Sequence, residues 1–119
     1  MPAHEKLNYV EYPAQNLAET KAFFQTAFGW TFEDYGPAYI AFVGEGLDGG
    51  FFQSDLSARV EQGSALLVFY SDDLEVTLAK VVGAGGRIVK PIFSFPGGRR
   101  FHFTEPSGNE FAVWGPPHA

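Results

Sequence analysis

Asn16-Leu-Ala-Glu-Thr-Lys-Ala-Phe-Phe-Gln-Thr-Ala-Phe-Gly29 reads as a helix with both of its ends marked. Asn16 can accept from the free amides of a first turn, and Glu19 stands three residues on, where a capping box needs it. Leu17, Phe24 and Phe28 recur near helical spacing, and Gly29 suits the left-handed backbone that closes a helix. The pattern then returns. At an offset of 57 residues Leu17 falls on Leu74, Thr20 on Thr77, Ala22 on Ala79, Ala27 on Ala84 and Gly29 on Gly86. Asp72-Asp73 stands where the second cap belongs, so a second helix is expected to run to about 84, before Gly85-Gly86.

Strand-forming segments surround each helix in the same order. Residues 7–12 precede the first, and segments at 30–34, 38–43 and 49–53 follow it across Gly-Pro and Gly-rich turns. Residues 65–71 precede the second helix, and 87–91, 99–104 and 109–114 follow. This predicts an internal duplication of a βαβββ module. Module one spans about 6–54 and module two about 65–114, joined by the polar segment 55–64 in one domain covering 1–119. One helix cannot cover both faces of four strands, so the modules must share what is left bare. The expected fold class is α+β: a curved, mixed, eight-stranded sheet with helices outside and a ligand-sized concavity inside.

Composition narrows the function. The 119 residues carry 13 Phe, 5 Tyr and 2 Trp, enough aromatic mass for a real core. Eight Lys plus Arg against 14 Asp plus Glu give a net charge of −6, which repels nucleic acid and anionic lipid alike. With no Cys there is no disulfide framework, thiolate nucleophile or Cys-based zinc site. Met1 to Lys6 lack the apolar run of a leader, and no stretch of about 18 apolar residues occurs, so the cytoplasm is the expected compartment.

Three segments together resemble the glyoxalase/bleomycin resistance/dioxygenase (vicinal oxygen chelate) superfamily. They are Asn8-Tyr-Val-Glu-Tyr-Pro-Ala-Gln-Asn-Leu17, Ala22-Phe-Phe-Gln-Thr-Ala-Phe-Gly-Trp30 and Phe101-His-Phe-Thr-Glu-Pro-Ser-Gly-Asn109. The last matches the family's Phe-x-Asp-Pro-x-Gly-Asn turn, with Glu105 in place of Asp. The resemblance covers about 6–114 and implies the fold, but the family spans isomerases, epimerases, dioxygenases, thiol transferases and drug-sequestering proteins. It also implies where a metal would sit, on the first and last strands of each module. Those positions carry over to Tyr9, Leu66, Ala112 and, approximately, Phe51. Three of these offer no lone pair and a neutral phenol is a poor ligand, so no metal and no cofactor is expected. His102 with Glu11 and Glu110 is the only other set within the fold, and it is displaced from the family pattern.

Strand alternation places Glu11 on the Tyr9 face, and Arg100, His102 and Thr104 opposite Phe101 and Phe103. The cavity is thus expected to hold Tyr9, Phe51, Leu66 and Ala112 at its centre, ringed by Glu11, Arg100, His102 and Glu110. Each has a plainer reading. Glu11 could be solvated or paired with Arg100, His102 a hydrogen-bonded core residue, Arg99-Arg100 a solvated pair and Glu110 exposed at the rim. Phe93-Ser-Phe95-Pro-Gly-Gly98 reads as a lid or as a packed hairpin connection, and Trp30 and Trp114 as core or dimer contacts. Gly49-Gly50 suggests a close backbone approach or bulge, since no helix N-terminus or Lys follows to make a phosphate loop.

Three functions remain open. The first is metal-free binding of a small apolar or aromatic molecule. The second is a metal-independent isomerase or lyase with Glu11 or His102 as catalytic base. The third is a dimeric interaction module with a vestigial cavity. The resemblance implies a homodimer, because one-domain relatives commonly pair modules across two chains.

Overall fold

In the computed structural model, which describes residues 2–117, both helices begin where their caps require. Asn16 Oδ1 accepts from the Glu19 amide at 3.0 Å, so α1 runs Leu17–Phe28 and closes on Gly29 at φ 71°. Asp73 caps α2 (Leu74–Gly83) through the Val76 amide at 3.2 Å. The ends differ: α2 closes on Ala84 in right-handed backbone, and Gly85, at φ 101°, makes the left-handed turn. Gly86 is small for another reason, since a Cβ there would meet Val81 at 2.6 Å.

The strands are β1 (Tyr9–Ala14), β2 (Phe32–Asp34), β3 (Tyr39–Glu45), β4 (Leu47–Gln53), β5 (Leu67–Tyr70), β6 (Arg87–Phe95), β7 (Gly98–Thr104) and β8 (Glu110–Gly115). They make two four-stranded mixed sheets, ordered β1-β4-β3-β2 and β5-β8-β7-β6. In each, the first and last strands of the module run parallel and the rest antiparallel. A parallel pair needs a long crossover, and the helix supplies it. No ladder joins β1 to β5, so the eight strands stand as two halves. No described helix is long and apolar enough to cross a membrane.

Aromatic packing from α1 unites the halves. Phe24 stacks on Trp30 at 4.4 Å and on Phe51 at 5.6 Å, and meets Phe111 of β8 edge-on at 5.4 Å. Phe28 stacks on Phe69 of β5 at 4.6 Å, and Phe23 leans on Phe103 of β7 at 5.7 Å. Each such ring contributes roughly 1.5–3 kcal/mol by leaving water, so the shared core is the main force between the modules. Both sheets turn this apolar face inward; their other faces are open.

The turn that carries the family resemblance works as a clasp between modules. The Asn16 amide donates to Ser107 Oγ at 3.1 Å, and Thr20 Oγ1 donates to Glu105 Oε2 at 2.8 Å and lies 2.7 Å from Ser107 Oγ. Asn109 Nδ2 donates to the Pro13 carbonyl at 2.6 Å while its Oδ1 accepts from the Ala58 amide at 2.8 Å. Glu105 also accepts from the Ser107 amide. It is buried, and burial pushes its pKa up to about 7 against the pull of those donors.

Candidate functional site

The open face of module one is built by strand register. Tyr9 and Glu11 of β1, Gly50 and Phe52 of β4, and Tyr39 and Ala41 of β3 lie side by side. Tyr39 Oη donates to Glu11 Oε2 at 2.9 Å, so Tyr9 Oη, 2.5 Å from Tyr39 Oη, is the donor in the next bond. The result is a relay of two phenols ending on a carboxylate. Burial, then the contacts with Tyr9 and Glu11, raise the Tyr39 pKa above its ordinary value. Gly50 makes room for it: a Cβ there would overlap the Tyr39 ring and hydroxyl. Glu11 is therefore partnered by Tyr39, not by Arg100. Tyr39 was not singled out by the sequence, because nothing local ties residue 39 to residue 11.

Phe51 lies on the other face. It is fully buried against Phe24, Phe42 and Tyr12 and cannot line a cavity with Tyr9. The register supplies the reason. Val68 pairs with Ala112, and its module-one counterpart Glu11 pairs with Gly50, so Gly50 holds the position equivalent to Ala112. A one-residue slip in counting reverses the face.

The open face of module two carries Val68 and Tyr70 of β5, Arg100, His102 and Thr104 of β7, and Glu110, Ala112 and Trp114 of β8. Leu66 lies half-buried one residue before β5. Glu110 is buried, 4% exposed, and not at a solvated rim. Its Oε2 is 2.9 Å from His102 Nδ1, and its Oε1 accepts from the Val60 amide at 3.1 Å and from Arg59 Nε at 3.5 Å. Burial opposes its ionisation, yet the bonds from His102, Val60 and Arg59 prevail and hold the carboxyl below its ordinary pKa. Arg100 Nη2 lies 3.1 Å from His102 Nε2. An arginine can only donate, so Nε2 accepts, and His102 is the neutral Nδ1–H tautomer donating to Glu110.

The two arginines are no solvated pair. Arg99, on the helix side, grips Glu75 of α2 through both terminal nitrogens at 2.6 and 3.0 Å. Arg100 takes the open side, with Phe95 5.8 Å from its guanidinium carbon. The segment 93–98 is a hairpin: β6 runs on to Phe95 and β7 begins at Gly98. It lays Phe93 6.0 Å from His102, and Phe95 6.3 Å from Trp114. Trp30 is core, whereas Trp114 is partly exposed.

The structure thus brings Leu66, Arg100, His102, Glu110 and Ala112 to one sheet and Tyr9 with Glu11 to the other. No hydrogen bond or ion pair joins the two sets among the described residues. Two recesses flank them. One, about 280 Å³, lies over Val68, Phe95, Gly97, Arg100 and Trp114; the other, about 450 Å³, opens between the modules beside Val10, Leu47 and Phe69.

The cation position that the resemblance implies is formed by Tyr9, Gly50, Leu66 and Ala112, which offer one neutral phenol between them. That donor set does not fit a transition ion. Among the described residues no three His, Asp or Glu side chains gather elsewhere to replace it.

Comparison with known proteins agrees with this architecture. A glyoxalase-related enzyme from Fulvimarina pelagi superposes with a TM-score of 0.77 at 17% identity, over 92% of this chain and 87% of that one. The genomically encoded fosfomycin resistance protein of Listeria monocytogenes, solved as a variant with Mn(II) and 1S,2S-dihydroxypropylphosphonic acid, gives 0.77 at 17% identity, over 96% and 92%. An antibiotic binding protein from a Streptomyces species gives 0.68 at 20% identity, over 98% and 99%. At these identities the likeness establishes the fold. No curated protein matches the sequence itself. The family model described as Glyoxalase/Bleomycin resistance protein/Dioxygenase superfamily matches residues 6–113, and the chain belongs to that superfamily.

Proposed function

We propose that the protein binds a small, partly apolar or aromatic molecule on the open faces of its sheets, without a metal. The observation that carries this reading is the exchange of side chains at the four family positions. Groups unable to coordinate a cation stand there, while Tyr70, Phe93, Phe95 and Trp114 put aromatic surface beside one guanidinium. Apolar walls with few polar groups are what small-molecule sites are made of. Tyr9, Leu66, Arg100 and Ala112 are assigned to the ligand, and Glu110 acts through His102.

A second copy of the chain completes the cavity in this proposal. The open faces carry Val43, Phe52, Val68 and Tyr70 exposed, and apolar surface of this kind favours burial against a partner. Sedimentation over a range of concentrations is expected to give a dimer. A monomer throughout would leave the cavity half-built and contradict this part. A thermal-shift series with planar aromatic compounds tests the binding itself. Saturable stabilisation that weakens when Tyr9 or Arg100 is replaced is expected; no stabilisation by any compound would refute the reading.

One observation favours a second reading, a metal-independent isomerase or lyase. Glu110 fixes the His102 tautomer and would stabilise the imidazolium formed if Nε2 took a proton from a carbon next to a carbonyl. Loss of turnover in His102→Gln with the fold intact would support it. Glu11 is the other base candidate: its carboxylate accepts from Tyr39 as His102 Nε2 accepts from Arg100, and either group must exchange that donor for substrate.

A further inference from the structure

We infer that Arg100 is an anion anchor and that the molecule held in the recess beside it is a planar aromatic carboxylate. This deepens the proposed reading and rests on it. Two neighbouring arginines differ in how their charge is met. Arg99 spends both terminal nitrogens on Glu75, so its charge is matched by a carboxylate. Arg100, one residue on and on the opposite face, has no carboxylate within ion-pair distance among the described residues. Glu110, the acid on its own face, is already taken by His102, Arg59 and the Val60 amide. The one side-chain hydrogen bond of Arg100 among the described residues is to a neutral imidazole, which accepts that bond and supplies no charge. Its Nε, like that of Arg99, is shut away from solvent without an acceptor. Burying a donor without a partner is costly, so the Arg100 guanidinium carries hydrogen-bonding capacity that the protein leaves unused.

The surroundings state what the rest of the ligand is. The recess holds about 280 Å³ and is walled by Phe95, Trp114 and Val68. That is room for one or two fused rings, lying against aromatic surface. A planar carboxylate presents two oxygens to the guanidinium fork at the edge of such a ring. One guanidinium matches one negative charge, and a chain of net charge −6 disfavours a phosphate dianion. Two further cations of this face, Lys90 and Arg87, are exposed on β6 in register with His102 and Thr104.

The test titrates the full-length protein with 1-naphthoate and with uncharged 1-naphthamide, read by the fluorescence of Trp114, the more exposed of the two tryptophans. Naphthoate is expected to bind about tenfold more tightly than the amide. In Arg100→Gln the two probes should bind alike at the amide's affinity, whereas Arg99→Gln should keep the preference. Arg100→Lys, which retains the charge and loses the fork, should keep only part of it. Equal affinity of both probes for the unmodified protein overturns the anchor and leaves an aromatic site standing, as does a preference that survives Arg100→Gln. If neither probe binds, the anchor and the proposed binding function fall together. The comparison of the two probes needs no variant, so a poorly folding Arg100→Gln does not spare the inference.

Discussion

The two modules share one frame and fill it with opposite chemistry. Each pairs its first strand with its last and caps its helix with an acid or amide. On module one's open face the polar groups are a half-exposed relay, Tyr9 to Tyr39 to Glu11, lying over a glycine. On module two's they are a buried pair, His102 and Glu110, fixed from behind by Arg59 and the Val60 amide. A duplicated backbone therefore preserves which positions look outward and says little about what stands there. The buried set is enclosed by its own hydrogen bonds, and the exposed one ends on a phenol that faces solvent.

Breaking the buried set should have the largest effect. Glu110→Ala strands the His102 N–H and the Val60 amide without their acceptor and leaves Arg59 only Glu61, and should cost about 3–5 kcal/mol in urea unfolding. Glu11→Ala, its counterpart on the exposed face, should cost under about 1 kcal/mol. Comparable losses from the two would erase the contrast.

The clasp gives a pH signature of similar size. The Glu105 pKa is raised above its unfolded value to about 7 by burial, so its contribution is complete below about 4.5 and is lost as pH rises through 7. Up to about 3 kcal/mol should disappear between those limits. Glu105→Gln should flatten the dependence in unfolding curves from pH 5 to 8.5. A profile that keeps its slope in the variant would assign the titration to another group.

A smaller effect tests the space over Gly50. Gly50→Ala should cost about 2 kcal/mol because Tyr39 must move, and most of that cost should vanish in a Tyr39→Ala background. Costs that merely add would mean that the hydroxyl does not occupy the gap. Smallest of all, Tyr39→Phe removes one bridging hydroxyl from a partly exposed relay and should cost about 0.5–1 kcal/mol.

Most of the frame was legible because local chemistry dictates it. Asn16, Asp73 and Gly29 act within one turn of their own position, and strand alternation sorted Tyr9, Glu11, Arg100 and His102 onto outward faces without further information. The failures came where the two modules differ in length. Ala112 follows Gly50 by 62 residues, against 57 between Tyr9 and Leu66, because the β6–β7 hairpin is the longer one. With the last strands out of step with the helices, the counterpart of Ala112 could be placed only approximately, and Phe51, a core residue, was named one position past Gly50. Long-range partners were hidden for a different reason. Tyr39 reaches Glu11, and Arg59 reaches Glu110, only after the sheets form, and no spacing along the chain records either contact.

On the proposed reading, these faces bind an aromatic molecule with no metal between protein and ligand. Calorimetric titration of chelator-treated protein with 1-naphthoate, before and after adding Mn(II), Ni(II) or Zn(II), tests it most directly. The same affinity and stoichiometry are expected in every case. Binding that appears only when one of these ions is present at one per site would contradict it.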